Sequence, residues 1–274
     1  MKAIILAGGK GTRLRPFTAV IPKPLVPVGD RTILEILICR LKEEGITDLV
    51  LCVNHMSALI KAYFGDGAKW GVRIGYSEEE GFLGTVAPIK LVKDLPDDFL
   101  VMNGDLLTDL RFRDLYDRHL QNRSLLTIAT CKRTSQIEFG VIDVDKTQNV
   151  VTGFREKPVQ EVDVSMGVYA FNRKVLQYVP GEKPFGFDDL VLTLLCEKCV
   201  VNVYPYSGYW LDIGRPADYD KATQDATLPI KATRRPRRKA LEALLPADGD
   251  GQRRGDMAGR RAPGRPGRIP HLSS

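Results

Sequence analysis

Hydrophobic runs of strand length alternate with helical patterns through the first half of the chain. Strands are predicted over residues 3–6, 49–53, 72–76 and 99–102, and helices over residues 57–64 and 85–92. A further helix is predicted from a cap at Asp30 to a stop at Gly45. Its apolar positions recur at helical spacing and are Ile33, Leu34, Leu37, Ile38 and Leu41. Such alternation implies right-handed crossovers and a mostly parallel sheet covered on both faces.

The second half of the chain is richer in strands. Its predicted strands are residues 125–131, 140–144, 150–154 and 166–171, and helices return at 188–195 and 216–226. The whole pattern predicts an α/β fold. We expect a Rossmann-like, mostly parallel mixed sheet flanked by helices, followed by a β-rich insertion.

The composition changes near Leu228. From Lys231 onward the chain carries ten Arg and two Lys against four acidic residues, a net charge of +8, whereas the first 230 residues carry a net charge of −2. We therefore divide the chain into a folded domain at residues 1–228 and an Arg/Pro/Gly-rich tail at residues 229–274. The tail lacks periodic apolar positions, so it is predicted to be disordered. It also lacks aromatic residues and a recognisable binding fold, so nucleic-acid binding is not expected.

The sequence gives no sign of a membrane partner or a metal-binding cysteine site. No apolar run approaches the ~18 residues of a membrane helix, and the opening apolar stretch is too short for a secretory leader. A cytoplasmic protein is therefore expected. Cys196 and Cys199 have the spacing of a metal or redox pair, but no second pair or nearby His completes a zinc site. These cysteines are predicted to be structural.

A glycine-rich loop directly follows the first predicted strand. Residues 6–14 read Leu-Ala-Gly-Gly-Lys-Gly-Thr-Arg-Leu. Glycines allow the backbone to approach a phosphate closely, and Arg13 adds a fixed positive group. The dinucleotide-binding fingerprint would need glycine where Leu14 stands, and the spacing of a triphosphate P-loop is absent. The loop is therefore predicted to be a phosphate-binding loop of a type different from these two.

Three further charged residues extend this prediction. Lys23 stands between two prolines, and a lysine in such a stiff loop is suited to a second phosphate contact. Asp105 follows the predicted strand at 99–102, at the kind of strand end where open α/β sheets bind ligands. Asp212 lies between an apolar segment and a glycine. Two carboxylates without nearby His or Cys suit a hard cation, so Mg²⁺ is the predicted cofactor.

Six motifs resemble, in order and spacing, those of the sugar-1-phosphate nucleotidyltransferases, also called nucleoside-diphosphate-sugar pyrophosphorylases. They are the glycine loop, Pro-Lys-Pro-Leu at 22–25, Asn-Gly-Asp at 103–105, Phe-Arg-Glu-Lys-Pro at 154–158, Met-Gly-Val-Tyr at 166–169 and Trp-Leu-Asp-Ile-Gly at 210–214. The resemblance spans roughly residues 1–226. It implies an enzyme of the EC 2.7.7 type that joins a nucleoside triphosphate to a sugar 1-phosphate and releases pyrophosphate. Relatives commonly form homo-oligomers.

The resemblance also implies a role for each motif residue. Nucleotide binding is implied for Leu6, Ala7, Gly8, Gly9, Gly11, Thr12 and Arg13, and a catalytic contribution for Arg13, Lys23 and Lys157. Binding of the sugar phosphate, partly by the β-rich insertion, is implied for Asn103, Gly104, Phe139, Gly140, Glu156, Lys157 and Gly167. Asp105 and Asp212 would hold the Mg²⁺. Many relatives carry Tyr at the position of Phe139, so the resemblance does not identify the sugar. Mannose, glucose, heptose and cyclitol phosphates are all candidate substrates.

Residues 83–85, Leu-Gly-Thr, stand where the family reads the base. This stretch resembles the mannose-1-phosphate and heptose-1-phosphate guanylyltransferases, and the Leu-Ala-Gln of thymidylyl-type relatives is lacking. We expect Gly84 and Thr85 to begin a helix, with the Thr85 hydroxyl facing a purine edge. GTP is the favoured substrate, with UTP, CTP, ATP and dTTP as alternatives. A non-catalytic regulatory subunit is disfavoured, because such chains usually lose an acid or a lysine, whereas this chain retains Arg13, Asp105, Lys157 and Asp212.

Overall fold

The computed structural model describes residues 1–226 except 80, 82 and 182. The described strands are β1 (Lys2–Leu6), β2 (Pro27–Val28), β3 (Arg31–Thr32), β4 (Asp48–Val53), β5 (Arg73–Glu78), β6 (Asp98–Asn103), β7 (Leu106–Thr108), β8 (Leu126–Gln136), β9 (Val141–Asp145), β10 (Val150–Arg155), β11 (Val159–Asn172), β12 (Val201–Tyr206) and β13 (Trp210–Asp212). The described α-helices are α1 (Ile33–Glu43), α2 (Ser57–Phe64), α3 (Phe112–Asn122), α4 (Phe187–Cys196) and α5 (Pro216–Ala226). The predicted boundary at 228 and the predicted disorder of the tail lie outside these residues.

Seven strands form the central sheet, in the order β12-β8-β11-β6-β1-β4-β5. Strand β1 pairs in parallel with β4 and β6, and the pairs β4–β5 and β8–β12 are also parallel. Strand β11 is the exception, since it runs antiparallel to both β6 and β8. The predicted α/β fold with a mostly parallel mixed sheet is confirmed. The carboxyl ends of β1, β4, β5 and β6 therefore meet at one edge.

Both faces of the sheet are covered, as the apolar strands predict. Along β1, Ala3 and Ile5 pack into one cluster with α1, α2 and α3, whereas Ile4 packs into a second cluster with α4. Alternate side chains of a strand point to opposite faces, so a strand buried on both sides reads as a continuous apolar run. Among the described helices, none is long and apolar enough to cross a membrane.

The β-rich part is continuous with the central sheet. The first half of β8 is buried in that sheet, while its last residues are exposed and pair with the first half of β11. Strands β9 and β10 form a separate antiparallel ribbon that is largely exposed. The sequence predicted β8, β9, β10 and β11 at the right places but made β8 and β11 too short, because their exposed halves lack apolar runs. Strand β12, which pairs with β8 at the edge of the central sheet, was not predicted.

Two predicted helix details are wrong. Helix α1 is capped by Thr32 and not by Asp30, since the Thr32 hydroxyl oxygen accepts a hydrogen bond of 3.2 Å from the Glu35 amide. The predicted helix over residues 85–92 is a short 3₁₀ helix at Ala87–Leu91. Pro88 stands inside that segment, and its ring and missing N–H oppose a regular α-helix. The predicted stop at Gly45 is confirmed by its φ of 74°.

Helix α3 was not predicted. Its buried positions are Phe112, Leu115 and His119, so a polar residue occupies one place on an otherwise apolar stripe. Burial lowers the pKa of His119, and its two ring nitrogens lie 2.9 Å from Thr127 Oγ1 and 3.2 Å from Asp98 Oδ1. These partners satisfy the buried ring.

The corrected cap can be tested by comparing two substitutions. Thr32→Ala should lower the free energy of unfolding by about 1 kcal/mol, because the Glu35 amide loses its acceptor. Asp30→Ala should change it by less than about 0.5 kcal/mol, as expected for an exposed residue without such a role. Urea titration followed by far-UV circular dichroism measures both. Equal losses in the two variants would contradict the assignment of the cap to Thr32.

Candidate active site

The glycine loop lies at the carboxyl end of β1, between the ends of β4 and β6. The Ala7 amide donates a hydrogen bond of 2.8 Å to the Cys52 carbonyl, which holds the start of the loop against β4. At the far end of the loop, Gly11 has a φ of 60°, and a Cβ there would come within 2.9 Å of Lys23 Cβ. A side chain is therefore excluded at Gly11 by both conformation and contact.

A cavity of about 330 Å³ opens beside this loop. All the residues predicted to bind the nucleotide line it, namely Leu6, Ala7, Gly8, Gly9, Gly11, Thr12, Arg13, Gly84 and Thr85. The predicted residues Lys23, Asn103, Gly104 and Asp105 line it as well. Residues from loops far apart in sequence thus share one concave site at the edge of the sheet.

Opposite charges are concentrated at one end of the cavity. Lys23 is only 9% exposed, and its Nζ contacts Asp105 Oδ2 and lies 3.9 Å from Asp212 Oδ1. Arg13 belongs to the same group, because a Cβ on Gly214 would lie 2.7 Å from Lys23 Nζ and 3.1 Å from Arg13 Nη2. The predicted basic and acidic residues therefore form a single cluster.

The fold brings the two aspartates together through a short strand pair. Strand β7 begins directly after Asp105, and β13 ends at Asp212, which stands opposite Leu106 in the antiparallel ladder. The Ile213 amide also donates a hydrogen bond of 3.0 Å to the Asp105 carbonyl. Asp212 Oδ1 accepts the Gly214 amide at 2.8 Å, whereas Asp105 Oδ1 is buried with no hydrogen-bond partner among the described residues.

The other end of the cavity contains a carboxylate that the motifs did not identify. Glu79 follows β5 directly, and its Oε2 accepts a hydrogen bond of 3.0 Å from the Leu83 amide. Burial raises the pKa of Glu79, while hydrogen bonds from Leu83 and Asn54 act in the opposite direction. Its place after a strand of the predicted sheet was the signal that could have found it.

Other residues on the cavity wall were also missed. They are Pro24, Cys52, Pro88 and Gly214. Burial raises the pKa of the Cys52 thiol to about 12, so this cysteine remains protonated at neutral pH. It acts as a small apolar group in the wall.

Gly84 and Thr85 line the cavity, but a distant segment holds them in place. Gly84 has a φ of 86°, and a Cβ there would lie 2.6 Å from the Phe185 carbonyl oxygen. The Thr85 hydroxyl oxygen accepts a hydrogen bond of 2.9 Å from the Phe187 amide. The expectation that Gly84 and Thr85 begin a helix is wrong, because the short 3₁₀ helix begins at Ala87. The Thr85 hydroxyl instead accepts the amide at the start of α4.

The residues predicted to bind the sugar phosphate divide into two groups. Asn103 and Gly104 line the cavity, and Gly167 adjoins them, since a Cβ on Gly167 would lie 2.5 Å from Asn103 Nδ2. The second group lies on or beside the exposed β9–β10 ribbon, outside the described lining of the cavity, and consists of Phe139, Gly140, Glu156 and Lys157. Within it, Gly140 and Glu156 are neighbours, with 3.3 Å between a Gly140 Cβ and Glu156 Oε2.

The sequence model of the family described as "Nucleotidyl transferase" matches residues 2–228. The chain belongs to this nucleotidyl transferase family. Membership in the sugar-1-phosphate nucleotidyltransferases, which the six motifs predicted, is confirmed. The match covers all of the elements described above.

Three similar proteins show the range within this nucleotidyl transferase family. A mannose-1-phosphate guanyltransferase of Candida albicans is 36% identical over 234 residues, covering 81% of this chain and 64% of that protein. A UTP–glucose-1-phosphate uridylyltransferase of Synechocystis sp. is 31% identical, covering 81% and 62%. The crystal structure of HddC from Yersinia pseudotuberculosis complexed with GMP-PN has a TM-score of 0.64 and 26% identity, covering 82% and 98%. The chain thus spans a little under two thirds of the length of these two curated relatives.

The contact between Gly84 and Phe185 can be tested with a nearby glycine as control. Gly84→Ala should lower the free energy of unfolding by about 2 kcal/mol, because the new Cβ meets a backbone carbonyl at a strained φ. Gly81→Ala should cost less than about 0.5 kcal/mol, since no heavy atom lies within 4 Å of its Cβ position. Urea titrations of the three proteins measure the difference. A Gly84→Ala variant as stable as Gly81→Ala would contradict the contact.

Proposed function

We propose that this protein transfers a nucleotidyl group from a nucleoside triphosphate to a sugar or sugar-like 1-phosphate, releasing pyrophosphate. The observation that carries the proposal is the charged cluster beside the glycine loop: Arg13, Lys23 and Asp105 line the cavity, and Asp212 lies 3.9 Å from Lys23 Nζ. The reaction must bring two polyanions together in line, and a site with fixed cations next to a phosphate-binding loop meets that need.

The two cations, Arg13 and Lys23, lie together beside the glycine loop. Lys23 is held by the aspartates, and the Arg13 guanidinium lies close by, since both side chains approach the same Cβ position on Gly214. Fixed charges of this kind stabilise the oxygens around the α-phosphorus as pyrophosphate leaves, each contributing roughly a few kcal/mol. The sugar phosphate is already a nucleophile, so the chain needs neither a general base nor a covalent intermediate.

The two aspartates fit a Mg²⁺ ion. Mg²⁺ binds through one or two carboxylates and completes its coordination with water and substrate phosphates. Asp105 Oδ1 is a buried acceptor without a partner among the described residues, and Asp212 belongs to the same cluster. Asp105 and Asp212 would hold the ion. When bound, it would neutralise phosphate charge and polarise the phosphoryl oxygens.

The sugar phosphate would bind on the side of Asn103 and Gly104, which line the cavity beyond the glycine loop. Glu156 and Lys157 of the β-rich part would contact the sugar hydroxyls and its phosphate, as the resemblance implies. The second substrate would therefore be enclosed between the sheet edge and the β9–β10 ribbon.

GTP is the triphosphate that we favour. The support is the Leu-Gly-Thr stretch at 83–85 on the cavity wall, together with the guanyltransferase named among the relatives. UTP is the alternative triphosphate, because one of the similar proteins is a uridylyltransferase.

A panel assay tests both the reaction and the base. Pyrophosphate release should be measured with GTP, UTP, CTP, ATP and dTTP, each combined with mannose, glucose or heptose 1-phosphate. GTP should give the highest kcat/KM. A tenfold or larger preference for another triphosphate would contradict the assignment of GTP. If no combination of triphosphate and sugar phosphate released pyrophosphate, the proposed nucleotidyl transfer would be refuted.

Conservative substitution of the aspartates tests the shared metal site. Asp105→Asn and Asp212→Asn should each lower kcat by more than tenfold, a barrier change above ~1.4 kcal/mol, because each removes charge that would hold the cation. The double variant should be little worse than either single one, since the two residues act as a unit.

The exposed Asp220 on α5 provides the matched control. Asp220→Asn should keep wild-type kcat, and thermal melting should show that all four variants remain folded. If either Asp105→Asn or Asp212→Asn retained more than a tenth of wild-type kcat while folded, the shared site would be refuted.

A further inference from the structure

Strand β11 changes its pairing at a β-bulge beside the cavity. After the bulge, Val168–Asn172 pair with β6, and before it Val159–Ser165 pair with β8, beyond the end of the ladder with β6. The register against β8 shifts between Ser165 and Tyr169. A β-bulge bends the strand that contains it. The bulge is therefore the joint between the central sheet and the β-rich part.

This joint lies against the wall of the cavity. Gly167, in the bulge, has a φ of 70°, and a Cβ there would lie 2.5 Å from Asn103 Nδ2. Asn103 lines the cavity and stands two residues before Asp105. A change of angle at the bulge would therefore shift the β-rich part relative to the wall that carries Asp105.

Trp210 ties the joint to the strand that carries the second aspartate. Its indole Nε1 donates a hydrogen bond of 2.9 Å to the carbonyl of Met166, a fully buried residue of the bulge. Bulged residues leave the regular ladder, and a buried carbonyl needs a partner from elsewhere. Trp210 belongs to β13 and stands two residues before Asp212. The hydrogen bond thus connects the bulge with the metal-binding end of β13.

Arg133 holds Trp210 from the side of the β-rich part. It lies opposite Val162 in the β8–β11 ladder, and its Cζ lies 4.7 Å from the centroid of the Trp210 ring. Its Nη2 is 3.3 Å from Oδ2 of Asp218, a buried residue of α5. A flat guanidinium can stack on a ring and bind a carboxylate at the same time. We call Arg133, Trp210 and Asp218 the brace.

We propose that Arg133 is a positioning residue for nucleotidyl transfer. Through Trp210 and the Met166 carbonyl, it fixes the angle of the β-rich part, and with it the distance between a sugar phosphate bound there and a nucleotide at the glycine loop. The inference rests on the proposed function, because it needs the second substrate on the β-rich part. Arg133 itself lies outside the described lining of the cavity.

Two variants and one control separate this role from general stability. Arg133→Met keeps an unbranched side chain over the ring but removes the guanidinium from both partners. Arg133→Lys keeps a positive charge for the buried Asp218 and loses only the planar stack. Lys132→Met is the matched control, because Lys132 is the adjacent residue of β8 and forms an exposed ion pair with Glu161 of β11.

Hydrogen exchange tests the brace independently of activity. In the full-length protein, the backbone amides of residues 164–168 should exchange at least about fivefold faster in both Arg133 variants than in the wild type, because the bulge opens more often once Trp210 is released. Lys132→Met should exchange at the wild-type rate. Mass spectrometry of peptic peptides that cover the bulge measures the rates.

Steady-state kinetics tests the positioning role. With GTP and mannose 1-phosphate, or the pair with the highest kcat/KM in the panel, both Arg133 variants should lose about tenfold or more in kcat/KM for the sugar phosphate, since in-line attack depends on the placement of the reacting groups. The calorimetric Kd of the triphosphate should stay within about twofold of the wild-type value, because the glycine loop shares no partner with the brace. Lys132→Met should match the wild type in both measurements.

The outcomes distinguish this inference from the proposed function. Unchanged exchange at the bulge in both Arg133 variants, or faster exchange with unchanged kcat/KM, would overturn the role of Arg133. An equal weakening of both substrates would also overturn it, since a general loss of structure would then explain the effect. These results leave the proposed function intact when the wild type releases pyrophosphate. A wild type without pyrophosphate release would refute the proposed function, and the positioning role with it.

Discussion

The contact of the buried Lys23 with Asp105, and its approach to Asp212, is the interaction on which the site depends. A lysine is almost never this buried unless it is paired, because losing water around an ammonium group is costly. The pairing fixes the Pro-Lys-Pro-Leu segment beside the glycine loop and beside Gly214. Three loops that follow β1, β6 and β13 are thereby held around one charged cluster.

This cluster makes the distribution of charge along the cavity uneven. Cations lie where the glycine loop ends, and the Glu79 carboxylate lies where it begins, so the two ends of the loop differ in charge. The parallel sheet makes this arrangement possible, since the loops that follow its strands all open on the same edge. Strand β8 then carries the chain out of the central sheet into the β-rich part, where the second substrate would bind, and the antiparallel strand β11 returns it to the central sheet.

Much of this could be predicted from sequence, because the loop, the Pro-Lys-Pro segment and both aspartates are local motifs, and the buried strands read as apolar runs. What could not be predicted depends on contacts between distant residues. The Thr85 hydroxyl receives an amide about a hundred residues away, and the wall position of Glu79 depends on the pairing of β4 with β5. Helix α3 was missed because the polar residue His119 occupies a place on its apolar stripe, and its partners Thr127 and Asp98 come from other elements.

The central claim is that the α-phosphoryl group, with its nucleoside, is transferred to the sugar phosphate. The most direct measurement uses GTP labelled with ³²P at either the α or the γ position, incubated with the protein and mannose 1-phosphate, with products separated by chromatography. The account predicts that the α label appears in a sugar nucleotide and the γ label in pyrophosphate. A γ label on the sugar, or an α label recovered only in GDP or GMP, would contradict it.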